Sequence, residues 1–222
     1  MSKGFLRSPF VAFCLAMLMV LAYPVLFFQK GTLVLLINEH HHVFLDVFFK
    51  YITHLGDGAV MAALLLVMLF YSYKMSIITT FAIIFQSLIV SVFKRWLFEG
   101  LPRPTVYFER IDWHFVEGVT VHGSNTFPSG HTTTAFAFCA LLLVVFSHRH
   151  YLLSILVFFL ALMAGLSRIY LLQHFLVDVY FGAIFGVLSV VLALMLTDRL
   201  WNTKQLEQLH KKSLSTTLFR RS

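Results

Sequence analysis

Charge is what this sequence has least of. Asp, Glu, Lys and Arg together make up 12% of its 222 residues, while hydrophobic residues make up 59%. Ordinary soluble domains carry about 25% charged and about 45–50% apolar residues. A soluble fold of this length has no interior large enough to hide that much apolar surface, so a bilayer is the required second solvent. Cysteine is scarce too. Cys14 and Cys139 both lie inside apolar runs, with no Cys-x-x-Cys pair. That pattern excludes a disulfide framework and a thiolate metal site, and leaves two ordinary buried thiols. Internal repeats and low-complexity tracts are also lacking. The net charge is +7, but Lys and Arg are dispersed between apolar segments. Without a basic stripe or an aromatic-interleaved groove, nucleic acid is not an expected partner.

What is present is a series of long apolar runs. A span needs roughly 20 apolar residues, and six runs approach or reach that length: about Pro9–Phe28, Ala59–Tyr73, Ser76–Leu97, Thr132–Phe146, Leu152–Leu172 and Phe175–Leu196. The second and fourth are short. Lys3 and Arg7 ahead of the first run resemble the start of a signal peptide, but the run is too long and lacks a small-x-small cleavage site, so a retained span is expected. Residues 30–57 mix apolar residues with Glu39, Asp46, Lys50 and three consecutive histidines, which reads as an interfacial segment. The predicted fold is therefore all-α: a polytopic membrane protein of about six transmembrane helices, forming one domain over residues 1–222 with a basic tail from about residue 197. That tail reads equally as an amphipathic surface helix around Trp201, Leu206 and Leu209 or as a solvated strand of charge.

Orientation follows from Lys and Arg, which concentrate on the cytoplasmic side. With six spans, one side carries ten of them, including Lys3, Arg7, Lys74, Arg149, Arg199 and Lys204, and the other carries seven. Several of the seven belong to the polar stretches described next. The expectation is that both termini are cytoplasmic.

Three polar stretches then fall on the opposite, outer face: Lys94-Arg95 to Arg103-Pro104, Pro128-Ser129-Gly130-His131, and Ser167-Arg168 with His174 and Asp178. Ionisable residues at membrane depth are costly and point to function. Pro128 resists helix continuation, Ser129 is a capping residue, and Gly130 permits close backbone approach. The helix that follows presents free N–H groups and a positive dipole end, which suit an anion. His131 stands at that point, able to give a proton to a leaving oxygen. His174 and Asp178 are four residues apart and share a helical face, so the carboxylate can fix the imidazole tautomer and leave the other nitrogen free to attack. Arg168 suits bidentate binding of phosphate oxygens. Arg103, with Lys94 or Arg95, would add the further cations that phosphoryl transfer requires.

Pro128-Ser129-Gly130-His131, followed by Ser167-Arg168, five residues, His174, three residues and Asp178, resembles the type-2 phosphatidic acid phosphatase family. Its wider superfamily includes vanadium haloperoxidases and glucose-6-phosphatase. The resemblance implies an acid phosphatase/vanadium haloperoxidase-like helical bundle and a metal-independent phosphatase with no cofactor. It implies that His174 attacks phosphorus to form a phosphohistidine, that Asp178 orients it, and that His131 protonates the leaving group and later helps to activate water. Lys94 or Arg95, Arg103, Ser129, Gly130 and Arg168 would hold the phosphoryl oxygens.

One departure stands out. The family's first motif has lysine, six residues, then Arg-Pro, whereas eight residues separate Lys94 from Arg103 and seven separate Arg95 from it. Lys94 is the preferred candidate, being the family's residue type. His40, His41 and His42 are adjacent, and adjacent residues rarely converge on one ion, so no metal site is expected there. Asp57 lies on the same face as the motifs, where it either lines the site or serves as a turn residue at a span entry; the turn is the expected role. The implied substrate is a membrane lipid phosphate or pyrophosphate, such as undecaprenyl pyrophosphate, phosphatidylglycerol phosphate, phosphatidic acid or lipid A, at the outer face of a bacterial plasma membrane. A lipid phosphotransferase using the same intermediate and a non-catalytic lipid-binding or transport protein are the alternatives.

Overall fold

Backbone polar groups inside a bilayer must be satisfied within the segment, which favours helices, and every regular element among the described residues is helical. The structure is a computed structural model that describes residues 1–146 and 150–200. A short α1 (Ser2–Leu6) leads into α2 (Pro9–Phe27), whose start is fixed by Ser8 accepting from the Val11 N–H at 3.4 Å. Next come α3 (Thr32–Glu39) and α4 (Val43–Ile52), the latter running on through a 3-10 turn, Thr53–Gly56. The chain continues through α5 (Gly58–Tyr71), α6 (Tyr73–Val92), the short α7 (Pro104–Tyr107), α8 (Gly130–Phe146), α9 (Tyr151–Tyr170) and α10 (Leu176–Leu200).

The six apolar runs are all present, in three different forms. Four helices are long and apolar enough to cross a membrane: α2, α6 with the turn that extends it to Leu97, α9 and α10. A bent pair, Val43–Gly56 and Gly58–Tyr71, meets at 51° and is apolar and long enough when taken together, which is the form of a broken span or of a re-entrant loop. Residues 43–56 therefore extend the second run rather than lying wholly apart from it. The sixth, α8, has only 17 residues, about 25 Å at 1.5 Å per residue. It is buried along most of its length, between α10, α9 and α6, so its neighbours and not lipid surround it. A helix apolar on all sides belongs in that place.

Close packing of α8 on α10 depends on missing side chains. A Cβ on Gly182 would come within 2.8 Å of the Ser129 carbonyl oxygen, and one on Gly186 would strike the Thr133 carbonyl. Such small residues let two membrane helices approach backbone to backbone. Cys14 and Cys139 are both free and buried, in the same apolar core. The histidine run is occupied locally: His40 and His41 ring nitrogens lie 2.9 and 3.0 Å from the Leu36 and Asn38 carbonyls, and His42 caps α4.

The Met1 amino group lies 3.0 Å from the Asp198 carboxylate, and the Ser2 hydroxyl donates to it at 2.7 Å. The start of the chain is thereby tied to the far end of α10. The polar motifs lie at the other end of the bundle, at the close of α6 and α9 and the beginning of α8 and α10. Of the ten cations counted on the side of the termini, Arg149, Lys204, Lys211, Lys212, Arg220 and Arg221 lie outside the described residues, as does the tail with Trp201, Leu206 and Leu209.

Candidate active site

Four helix ends and the 98–129 loop enclose a cavity of about 390 Å³. Lys94, Arg103, Gly130, His131, Arg168 and His174 all line it. These residues are scattered over 81 positions of sequence from Lys94 to His174, and the helix ends bring them together.

His174 sits in the short turn between α9 and α10 and is 1% exposed. Its backbone N–H donates to the Arg168 carbonyl at 3.0 Å, which holds the turn against the end of α9. Nδ1 lies 3.4 Å from Asp178 Oδ2 and 3.4 Å from Thr126 Oγ1. The Thr126 hydroxyl donates its proton to Asp178, so both neighbours of Nδ1 can only accept. The proton of a neutral His174 therefore belongs on Nδ1, leaving Nε2 with a lone pair. Burial above all pushes the His174 pKa down to about 3, with Asp178 acting in the opposite direction. Asp178 is itself fixed by the Phe175 N–H, which donates to Oδ2 at 2.8 Å in the first turn of α10. A carboxylate in that turn also gains from the helix dipole.

Arg103 and Arg168 are buried and held by neutral oxygens. Arg168 donates to Thr53 Oγ1 at 2.7 Å, and its Nε has no hydrogen-bond partner. Arg103 donates from Nε to the Ser124 carbonyl at 2.9 Å and from Nη1 to Gln173 Oε1 at 2.5 Å. Burial lowers the pKa of its guanidinium, and the Asp178 charge acts the other way. Lys94 and Arg95 separate in a single π-helical turn, Phe93–Leu97, closed by the Phe98 N–H on the Phe93 carbonyl at 2.9 Å. Lys94 is half-buried and lines the cavity, whereas Arg95 is exposed and does not. A π turn inserts extra length into a helix and often re-aims a side chain.

His131 is more open. Its Nε2 lies 2.9 Å from Asp57 Oδ1, both side chains being 37% exposed. Ser129 caps α8, as its residue type suggested. It is fully buried away from the cavity, where Oγ accepts from the Thr132 N–H at 3.3 Å and from its hydroxyl at 2.8 Å. Its own N–H donates to the Asp178 carbonyl at 3.0 Å, joining the starts of α8 and α10. Gly130 takes the place on the cavity wall.

Sequence reasoning missed Thr53, Thr126 and Gln173, and preferred a turn role for Asp57 over the place it takes on the cavity wall. Hydroxyl and amide residues carry no spacing signal of their own, and Thr53 is 115 residues from the Arg168 it supports. Among the described residues no group of three or more His, Cys, Asp or Glu is placed to hold a metal ion.

No curated protein matches the sequence. The crystal structure of LpxE from Aquifex aeolicus is similar with a TM-score of 0.65 and 28% identity, covering 75% of this chain and 94% of that one. The transmembrane PAP2-type phosphatidylglycerolphosphate phosphatase from Bacillus subtilis shares the fold with a TM-score of 0.57 and 21% identity, covering 85% of this chain and 96% of that one. The model of the PAP2 superfamily matches residues 75–202, a stretch that holds all three polar motifs. The chain is a multi-pass membrane protein and belongs to the PAP2 superfamily.

Proposed function

We propose that this protein is a lipid phosphatase that works through a phosphohistidine on His174. The observation that carries the reading is one cavity at one end of the bundle, on whose wall His131 and His174 stand together with Lys94, Arg103 and Arg168. Nε2 of His174 attacks phosphorus, the bond to the leaving oxygen breaks, and His131 gives that oxygen a proton. Water then attacks the phosphohistidine while His131 takes a proton from it, releasing inorganic phosphate and free His174. Lys94, Arg103, Arg168 and the N–H groups at the start of α8 meet the charge on the phosphoryl oxygens, so the reaction needs no metal.

The cavity opens at a helix end, where a headgroup phosphate stands at the bilayer surface, which favours a lipid phosphate or pyrophosphate over a soluble ester. Phosphatidylglycerol phosphate, phosphatidic acid, undecaprenyl pyrophosphate and lipid A present that group. In our reading the cavity faces outward from a bacterial plasma membrane, with the termini on the cytoplasmic side. The Lys/Arg distribution supports that orientation, as does the pairing of Met1 with Asp198 at the end away from the cavity.

The test is phosphate release by the purified protein from a panel of those lipids, with EDTA present. Turnover that survives EDTA, vanadate inhibition and an acid-labile phosphoryl label that is lost in His174→Ala are expected. Loss of activity with EDTA and recovery with a divalent ion would overturn the metal-free step. Transfer of phosphate to a lipid hydroxyl without free phosphate would make the protein a phosphotransferase.

A further inference from the structure

Asp57 lies at the break where the 3-10 turn gives way to α5. The break is pressed against His131: a Cβ on Gly56 would come within 2.5 Å of the His131 carbonyl oxygen and 2.7 Å of its Cβ. That approach brings the carboxylate to the imidazole. Oδ1 lies 2.9 Å from His131 Nε2, and Oδ2 lies 2.7 Å from Nδ1 of His54, another residue of the cavity wall. One carboxylate is thus shared by two imidazoles, and it belongs to none of the three motifs.

We propose that Asp57 is a positioning residue for the proton-transfer steps, holding His131 in place and favouring its imidazolium form until the leaving group departs. The proton passes from His131 to the leaving oxygen as the phosphorus–oxygen bond breaks. The neutral imidazole later takes a proton from the attacking water and is recharged, while Asp57 remains a carboxylate throughout. His54 on the second oxygen fixes the carboxylate from the solvent side. The inference rests on the reading of His131 as the proton donor.

A leaving group that departs readily as an anion does not need that proton, and this separates positioning of the acid from a general structural role. The full-length protein in detergent micelles would be assayed on phenyl phosphate, a poor leaving group, and 2,4-dinitrophenyl phosphate, a good one. Asp57→Asn is expected to lower kcat/KM on phenyl phosphate by about 10–100-fold and on dinitrophenyl phosphate by less than about threefold, within the general-acid range. His131→Ala should show the same selectivity with a larger loss. Should the Asn variant fail to fold, Asp57→Glu keeps the charge but displaces it, and a smaller selective loss is expected. Equal losses on both substrates in the Asp57 variants, beside a selective loss in His131→Ala, would overturn the role of Asp57. Equal losses in His131→Ala would overturn the reading of His131 itself.

Discussion

On one wall of the cavity His174 and Asp178 are each 1% exposed, and the Thr126 hydroxyl, the Phe175 N–H and the Arg168 carbonyl fix them. On the other wall His131 and Asp57 are each 37% exposed at the side chain, and their partner His54 is more open still. Both walls pair an imidazole with a carboxylate, yet one is dry and the other wet. The contrast suits two different tasks. A nucleophile gains from a fixed tautomer and a shell cleared of water, because nothing then competes with phosphorus for its lone pair. A proton donor must be recharged every cycle, and that needs contact with solvent.

On the proposed division of roles, the two histidines fail differently when removed. His174→Ala should cut kcat by at least about 10⁴-fold, on the order of 5.5 kcal/mol, on every substrate, because no covalent intermediate forms. The variant should still elute from a sizing column as the wild type does. Turnover within tenfold of wild type would remove His174 from the nucleophile's role and dissolve the contrast.

The cations give a finer test of what the dry wall contributes. Lys94 lines the cavity and its neighbour Arg95 points away. Lys94→Ala should lower phosphatase activity at least tenfold, about 1.4 kcal/mol of transition-state stabilisation, while Arg95→Ala stays within about threefold. The reverse ranking in a steady-state assay would give the phosphate contact to Arg95.

The smallest effect expected is none at all. With its pKa pushed down to about 3, His174 takes up a proton only below that value and stays neutral through the working range. Nitrogen NMR of labelled histidine, with the His174 signal assigned by its loss in His174→Gln, should show no titration between about pH 5 and 8. A midpoint near the ordinary value of about 6.5 would mean that water reaches the ring.

The parts of the molecule that were legible in advance share a physical cause. Apolar length dictates a span, so α2, α6, α9 and α10 stand within a few residues of where the hydrophobic runs put them. Ionisable residues inside such runs are costly, so His131, Arg168, His174 and Asp178 announced themselves. The bend at Gly56–Asp57 did not, since residues 43–56 alternate Phe, Leu and Val with Asp46 and Lys50 and resemble an interfacial helix. Nor did the π turn that separates Lys94 from Arg95, because a single wide turn leaves the apolar pattern intact. The supporting hydroxyls and amides were invisible for another reason. Thr53, Thr126 and Gln173 are ordinary residues in sequence, and only tertiary packing gives them a charged neighbour.

The two arginines have a consequence for how the protein behaves away from its substrate. Arg103 and Arg168 donate to a threonine hydroxyl, a glutamine amide and a backbone carbonyl, with Arg168 Nε unpartnered. Two buried cations side by side with neutral acceptors repel each other, and the folded state carries that cost. A dianion between them would relieve it, and whatever binds only the folded state stabilises it by mass action. Inorganic phosphate at 100 times its Kd should therefore add about 2.7 kcal/mol to the stability of the bundle, read as a rise in Tm that Arg168→Ala abolishes. The same linkage makes the released phosphate a competitor for the site, so a membrane bathed in phosphate would hold this enzyme at once sturdier and slower.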